Sequence, residues 1–182
     1  MSSKFDIVSQ ALLLIGEAPI NSFDEGVSGV VASNLYDTTR DSLLTATRWR
    51  FAVGKASLSK LTATPLNEWN NAFQLPSDLL MPIRVYPKTS YEIYEDKIYS
   101  NQNSLQLDYI FRPDESAFPA YFVECLAAHL AEKFALSITN NQTMRQAMQE
   151  TAIDSYKKAA FKDAQGRPST PIVSRPYVQV RS

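Results

Sequence analysis

The sequence predicts an α+β fold: a four-helix bundle, a small antiparallel β insertion between helices 2 and 3, and an extended C-terminal arm. Three observations carry this. Apolar residues recur at helical spacing in four separate segments. Between about residues 50 and 112 the apolar period drops to two. After Gly166, Pro168, Pro171 and Pro176 bar a helix. Residues 1–49 and 113–165 are therefore assigned to the bundle, 50–112 to the β-rich insertion and 166–182 to the arm. A chain of 182 residues, 45% of them hydrophobic, can bury one sizeable core without disulfides or metal.

The first helix is expected from about Lys4 to Ile15, where Phe5, Val8, Leu12 and Ile15 share a face. Gly16 supplies a left-handed residue to end it, and Pro19 blocks a restart. The second helix is expected over roughly Val30 to Arg48, with Val31, Leu35, Thr38 or Thr39, and Leu43 inward. Asp37, Arg40 and Asp41 fall mostly on the other side. Two more helices follow the β region. From Phe118 to about Ile138, an apolar stripe runs through Phe122, Leu126, Leu130 and Phe134. Asn140-Asn141 breaks it. The segment from about Gln142 to Asp163 carries Met144, Met148, Ala152, Tyr156 and Ala159 among many polar residues, and is expected to be partly exposed.

Within the insertion, Ala52, Leu58 and Leu61 belong to a first strand region. Pro76 and Ser77 are read as starting a helical turn that Pro82 must stop. Ile83–Tyr86 is a short strand, and Tyr91–Tyr94, Glu95-Asp96 and Lys97–Tyr99 read as a hairpin. Leu105, Leu107, Tyr109 and Phe111 alternate with Gln106, Asp108 and Arg112, the pattern of a half-buried antiparallel strand. Trp49, Phe51, Trp69 and Pro76 sit where helix gives way to strand, and are taken as a structural joint. In an extended segment Trp49 and Phe51 would face the same way and plug the junction.

Chemistry finds little purchase. The formal net charge of −1 offers no basic field for duplex DNA. The lone cysteine, Cys125, forms no internal disulfide, and Cys125 with His129 four residues on lacks the further ligands of a zinc site. An apolar helix stripe raises a thiol pKa, which opposes nucleophilic use. Gly26 and Gly29 precede a helix, but no Lys-Ser/Thr follows them as in a phosphate loop. No catalytic, cofactor-binding or metal-binding residue is assigned. The remaining enzymatic reading is a peptidoglycan hydrolase using paired carboxylates, Asp37 with Asp41, or Glu17 with Asp24 and Glu25. Arg48-Trp49-Arg50-Phe51 could stack on single-stranded nucleic acid, although plugging the core is the preferred role. No signal-peptide pattern or membrane-length apolar run is seen, and a soluble protein of a reducing cytoplasm is expected.

The arm is harder to reconcile with a self-contained domain. Ile172, Val173, Tyr177, Val178 and Val180 are too apolar for a plain solvated tail. Arg167, Arg175 and Arg181 stand among them with no acid. Such a segment is expected to dock on another subunit. Tyr91, Tyr94 and Tyr99 exceed what a small sheet needs for its own core and are further contact material.

Several motifs carry a resemblance: Ala11-Leu12-Leu13-Leu14-Ile15-Gly16-Glu17-Ala18-Pro19 in the opening helix, Trp49-Arg50-Phe51-Ala52, Trp69, and Leu75-Pro76-Ser77-Asp78. On these, and on its layout, the chain resembles the head-to-tail adaptors of tailed bacteriophages, most closely the tail tubular protein A class of short-tailed phages. It departs after Asp78, where Leu79-Leu80-Met81-Pro82 replaces the arginine often seen near that point. The resemblance implies a virion protein assembled in the bacterial host cytoplasm, without enzymatic activity or cofactor. It would form a dodecameric ring between the portal protein and the tail nozzle or tube, with genomic DNA passing through the channel. It further implies that the bundle forms the ring wall. Arg167, Ile172, Val173, Arg175, Tyr177, Val178 and Val180 would reach the portal or the adjacent subunit, and Tyr91, Tyr94 and Tyr99 would serve subunit or tail contacts.

Overall fold

A computed structural model describes residues 2–24, 26–63, 65 and 68–166. Among them are four α-helices and seven strands: α1 Lys4–Leu14, α2 Gly26–Ala46, β1 Val53–Ser57, β2 Ser59–Lys60, β3 Asn71–Gln74, β4 Leu79–Tyr86, β5 Glu92–Tyr94, β6 Lys97–Ser100, β7 Gln106–Phe111, α3 Ala120–Ser137 and α4 Gln142–Gln165. No described helix is long and apolar enough to cross a membrane.

The expected four-helix bundle with one small β insertion is corrected. The strands form two antiparallel sheets, ordered β1-β7-β4 and β2-β3-β6-β5. The first sheet is part of the helical core, to which it contributes buried Ile110 and partly buried Leu80 and Ile83. The helices do not form a square bundle either, because α3 packs against each of α1, α2 and α4. Its sequence allows this. Ala127, Ala128, Ala131 and Ala135 are small enough for close approach, while Phe122, Leu126, Leu130 and Phe134 fill the spaces between neighbours.

The chain passes between the sheets four times on its way from β1 to β7, three of the crossings carrying a buried leucine. These are Leu58, Leu75 and Leu105, all buried in one second core with Phe73, Val85, Ile98 and Leu107. Leu58 donates its N–H to the Leu105 carbonyl at 2.9 Å, which pins two of the crossings together. The expected helical turn at Pro76 is instead the loop into β4. Pro82 stops no helix; it lies inside β4, which pairs only with β7 and shifts register between Pro82 and Arg84. An edge strand tolerates proline because one side of its backbone needs no ladder partner.

Local chemistry sets the helix ends. Ser3 and Asp6 form a capping box on α1: the Asp6 N–H donates to Ser3 Oγ at 3.2 Å, and the Ser3 N–H to Asp6 Oδ2 at 2.8 Å. Gly16, at φ +81°, closes the other end. Its N–H bonds the Leu13 carbonyl at 3.1 Å, and the Glu17 N–H bonds that of Leu12 at 3.0 Å.

The buried face of α2 is rotated from the expected one. Gly29, Ala32, Tyr36, Thr39, Arg40, Leu43 and Leu44 point inward, whereas Val31 and Leu35 are half-buried. Gly29 sets this rotation. A Cβ there would lie 2.6 Å from the Phe23 carbonyl oxygen, a backbone atom that cannot swing aside. Gly29→Ala is expected to lower stability by about 1–3 kcal/mol, read as a fall in the urea midpoint.

Candidate assembly surfaces

Trp49 is fully buried at the end of α2, just before a 3₁₀ turn at Arg50–Ala52 rather than in a strand. Its ring centroid lies 5.3 Å from that of Phe122 and 6.0 Å from that of Tyr156, both edge-on. Its Nε1–H donates to the Leu43 carbonyl, in the last turn of α2, at 2.7 Å. Half-buried Phe51 continues the cluster, 4.9 Å from Phe122 and 5.9 Å from Phe118. A buried Trp49 has no free face for a nucleobase, which argues against stacking by Arg48–Phe51.

The same turn meets the end of α4. Asp163, buried, accepts the Arg50 N–H at 3.1 and 3.2 Å and the Tyr121 hydroxyl at 2.8 Å. Gly166 lies against the Arg50 guanidinium. The described chain therefore ends, at Gly166, beside the Trp49-Arg50-Phe51 joint. The residues expected to carry assembly in the arm (Arg167, Ile172, Val173, Arg175, Tyr177, Val178, Val180) lie outside the described residues.

Trp69 and Pro76 do not join this cluster. Trp69 is half-buried beside the second sheet and donates Nε1–H to Glu92 Oε2 at 2.9 Å. Half-buried Pro76 begins the loop into β4 and accepts the Leu79 N–H at 3.2 Å. Asp78, in that loop, accepts the Tyr109 hydroxyl at 3.2 Å and fixes the crossing to β7. Trp49 and Phe51 thus belong to the helical core, while Trp69 and Pro76 belong to neither core.

Strands β5 and β6 pair as a hairpin, Glu92 opposite Tyr99 and Tyr94 opposite Lys97. Strand alternation puts these four on one side of the sheet and Ile98 on the other, in the second core. Tyr94 is 53% exposed and edge-on to half-buried Tyr99 at 6.0 Å. Tyr91 and Ile93 are exposed nearby in the chain. With Trp69 hydrogen-bonded to Glu92, the hairpin presents an aromatic ridge.

A second apolar surface, not anticipated, is an open groove of about 410 Å³ between α1, α3 and α4. Leu13, Leu14, Ala127 and Ala128 line it. Its signal is the run Ala11–Ile15, because five consecutive apolar residues exceed the width of one helix face.

The acidic pairs are not disposed for acid catalysis. Arg40, expected to face outward, is buried among Asp37, Asp41 and Glu115, at 3.1, 3.0 and 3.2 Å. Arg112 holds Asp41 with two further bonds, of 3.1 and 2.6 Å. Burial alone would raise the Asp41 carboxyl. The Arg112 and Arg40 hydrogen bonds outweigh it and hold the group below its ordinary value. A general acid needs the opposite shift. Glu17 is half-buried, Asp24 is exposed and Glu25 lies outside the described residues. Because the folded value is depressed, Asp41 contributes stability that is present above its ordinary 3.8 and is lost as pH falls further. The urea midpoint is expected to fall as pH drops below that value, and to fall less in Asp41→Asn.

Cys125 is buried, which pushes its thiol up to about 11. His129 Nδ1 lies 2.8 Å from the Cys125 carbonyl and 3.7 Å from Sγ. A carbonyl can only accept, so the proton sits on Nδ1 and leaves no basic nitrogen facing the sulfur. Among the described residues, no group of three or more His, Cys, Asp or Glu side chains converges as metal ligands would. No family model matches this chain, and no curated protein matches it.

Proposed function

We propose that this chain is a structural adaptor of the head-to-tail connector type. Copies join side by side in a ring; one end of the ring binds the portal, the other the tail nozzle or tube, and DNA passes along the axis without sequence-specific binding. The observation that carries the reading is two unlike apolar surfaces on one chain. One is the concave groove of α1, α3 and α4; the other is the exposed aromatic face of the β5–β6 hairpin. A ring contact is heterologous, so each copy must offer two different patches. Aromatic side chains left half in water are the usual anchors of such contacts.

Other observations agree. The motifs that resemble the adaptor family have structural work here: Trp49-Arg50-Phe51 closes the helical core and Leu75–Asp78 forms a sheet crossing. A net charge of −1 suits a channel wall along which DNA must slide rather than stick. The experiment is paired. Tyr91→Ser with Tyr94→Ser is expected to leave the unfolding midpoint unchanged, because both side chains are exposed, and to abolish ring assembly on portal rings seen by electron microscopy. Rings that form as readily as with the parent would remove the hairpin from the interface.

A further inference from the structure

The groove between α1, α3 and α4 is a surface without an occupant among the described residues. Leu13 is 61% exposed and Leu14 45%, and between them and α4 lie the small side chains Ala127 and Ala128. A concave apolar surface of this kind gains free energy from whatever covers it. We propose that it receives the segment Ile172–Val180 of a neighbouring copy. The proposal rests on the adaptor reading only in requiring a neighbouring copy.

Three facts choose this occupant. The first is chemistry. The segment offers Ile172, Val173, Tyr177, Val178 and Val180, and its prolines reduce the freedom lost on docking. The second is charge. Residues 167–182 contain Arg167, Arg175 and Arg181 and no acid, while among the described residues the one charged side chain lining the groove is the Glu124 carboxylate.

The third is where the described chain stops. Ser155 and Thr151 border the groove from α4, 11 and 15 residues before Gly166. At 1.5 Å per residue that is about 16 and 22 Å back along the helix. Gly166 lies against Arg50 at the far end, and α4 directs its C-terminus away from the groove. Docking in its own groove would require the chain to reverse after α4, whereas docking in a neighbour's would not. Sixteen residues beyond Gly166 span up to roughly 50 Å when extended.

The test uses full-length protein. Leu13→Cys is placed in one population and Val178→Cys in a differently tagged one. The two are mixed and oxidised, with and without portal rings. Cys125, buried, does not compete. Val30→Cys, exposed on α2 and not among the groove residues, replaces Leu13→Cys as the control. The proposal expects mixed disulfide dimers in clear excess over the control in at least one condition. It also expects the yield to fall about tenfold or more when Leu14→Asp is added to the groove partner. No excess in either condition overturns it. So does a double variant, Leu13→Cys with Val178→Cys, that closes only within one chain, because the arm then covers its own groove. Failure of the adaptor reading looks different: the mixed dimers form, but no ring appears on portals. Normal rings without mixed dimers would leave the adaptor standing and remove the groove.

Discussion

Trp49→Ala is expected to cost about 3–5 kcal/mol, the range for emptying a buried large aromatic site. Trp49 is fully buried among Phe51, Tyr121, Phe122 and Tyr156, so its loss opens a void that side chains from three elements line. It also strips the Leu43 carbonyl of its 2.7 Å partner at the end of α2. A domain of this size has roughly 5–15 kcal/mol in total, so the variant should approach unfolding at modest temperature. Trp49→Phe separates the two contributions. It keeps most of the ring volume and forfeits the hydrogen bond, and should lose about 1–3 kcal/mol. Equilibrium urea unfolding of the three proteins gives the comparison. Equal losses for Ala and Phe would place the effect in the carbonyl cap rather than in packing.

The second large effect is expected at Asp163. Its buried carboxylate accepts the Arg50 N–H and the Tyr121 hydroxyl, and joins the end of α4 to the turn after α2. Asp163→Ala leaves two polar groups short of partners in a partly buried place, at a cost of about 1–3 kcal/mol. Asp163→Asn retains an acceptor oxygen and should lose less. An independent readout is available in Tyr121, whose phenol is pushed up to about 12, first by burial and then by Asp163. Absorbance titration should show it ionising earlier in Asp163→Asn. The raised value also links to stability: the contribution is complete below the ordinary 10.0 and is lost as pH climbs from there to about 12. If the anchor is right, Asp163→Ala should also increase proteolysis at the start of the arm, because nothing else described holds Arg50 to α4 so directly.

The local elements were largely legible in the chain because their causes are local. Gly16 with Pro19, and Asn140-Asn141, mark helix ends by backbone chemistry alone, and α1, α3 and α4 lie within two residues of their expected bounds at each end. The Tyr91–Tyr99 hairpin was read from alternation. What was not legible depends on partners distant in sequence. The rotation of α2 follows from Gly29 meeting the Phe23 carbonyl, and the burial of Arg40 from Glu115 and its acidic neighbours, neither of which periodicity reveals. Arg40 carries a charge that the pattern places outside, yet Asp37, Asp41 and Glu115 let it go in.

The division into two sheets was missed for a similar reason. Leu58, Leu75 and Leu105 read as ordinary strand or loop positions, and only their meeting in one core makes them crossings. Pro82 misled in the other direction, because proline stops a helix but is tolerated in an edge strand. The candidate surfaces divide likewise. The tyrosines announced themselves by number. The groove needed α3 and α4 to be in place before Leu13 and Leu14 could be seen to lack cover.

The central claim is that the chain works by shape, as one copy of a ring that joins two larger assemblies. Electron microscopy of the purified protein mixed with portal rings tests it most directly. The account predicts closed rings of this protein, coaxial with the portal and open along the axis. Portal rings that stay bare at protein concentrations well above their own would contradict it.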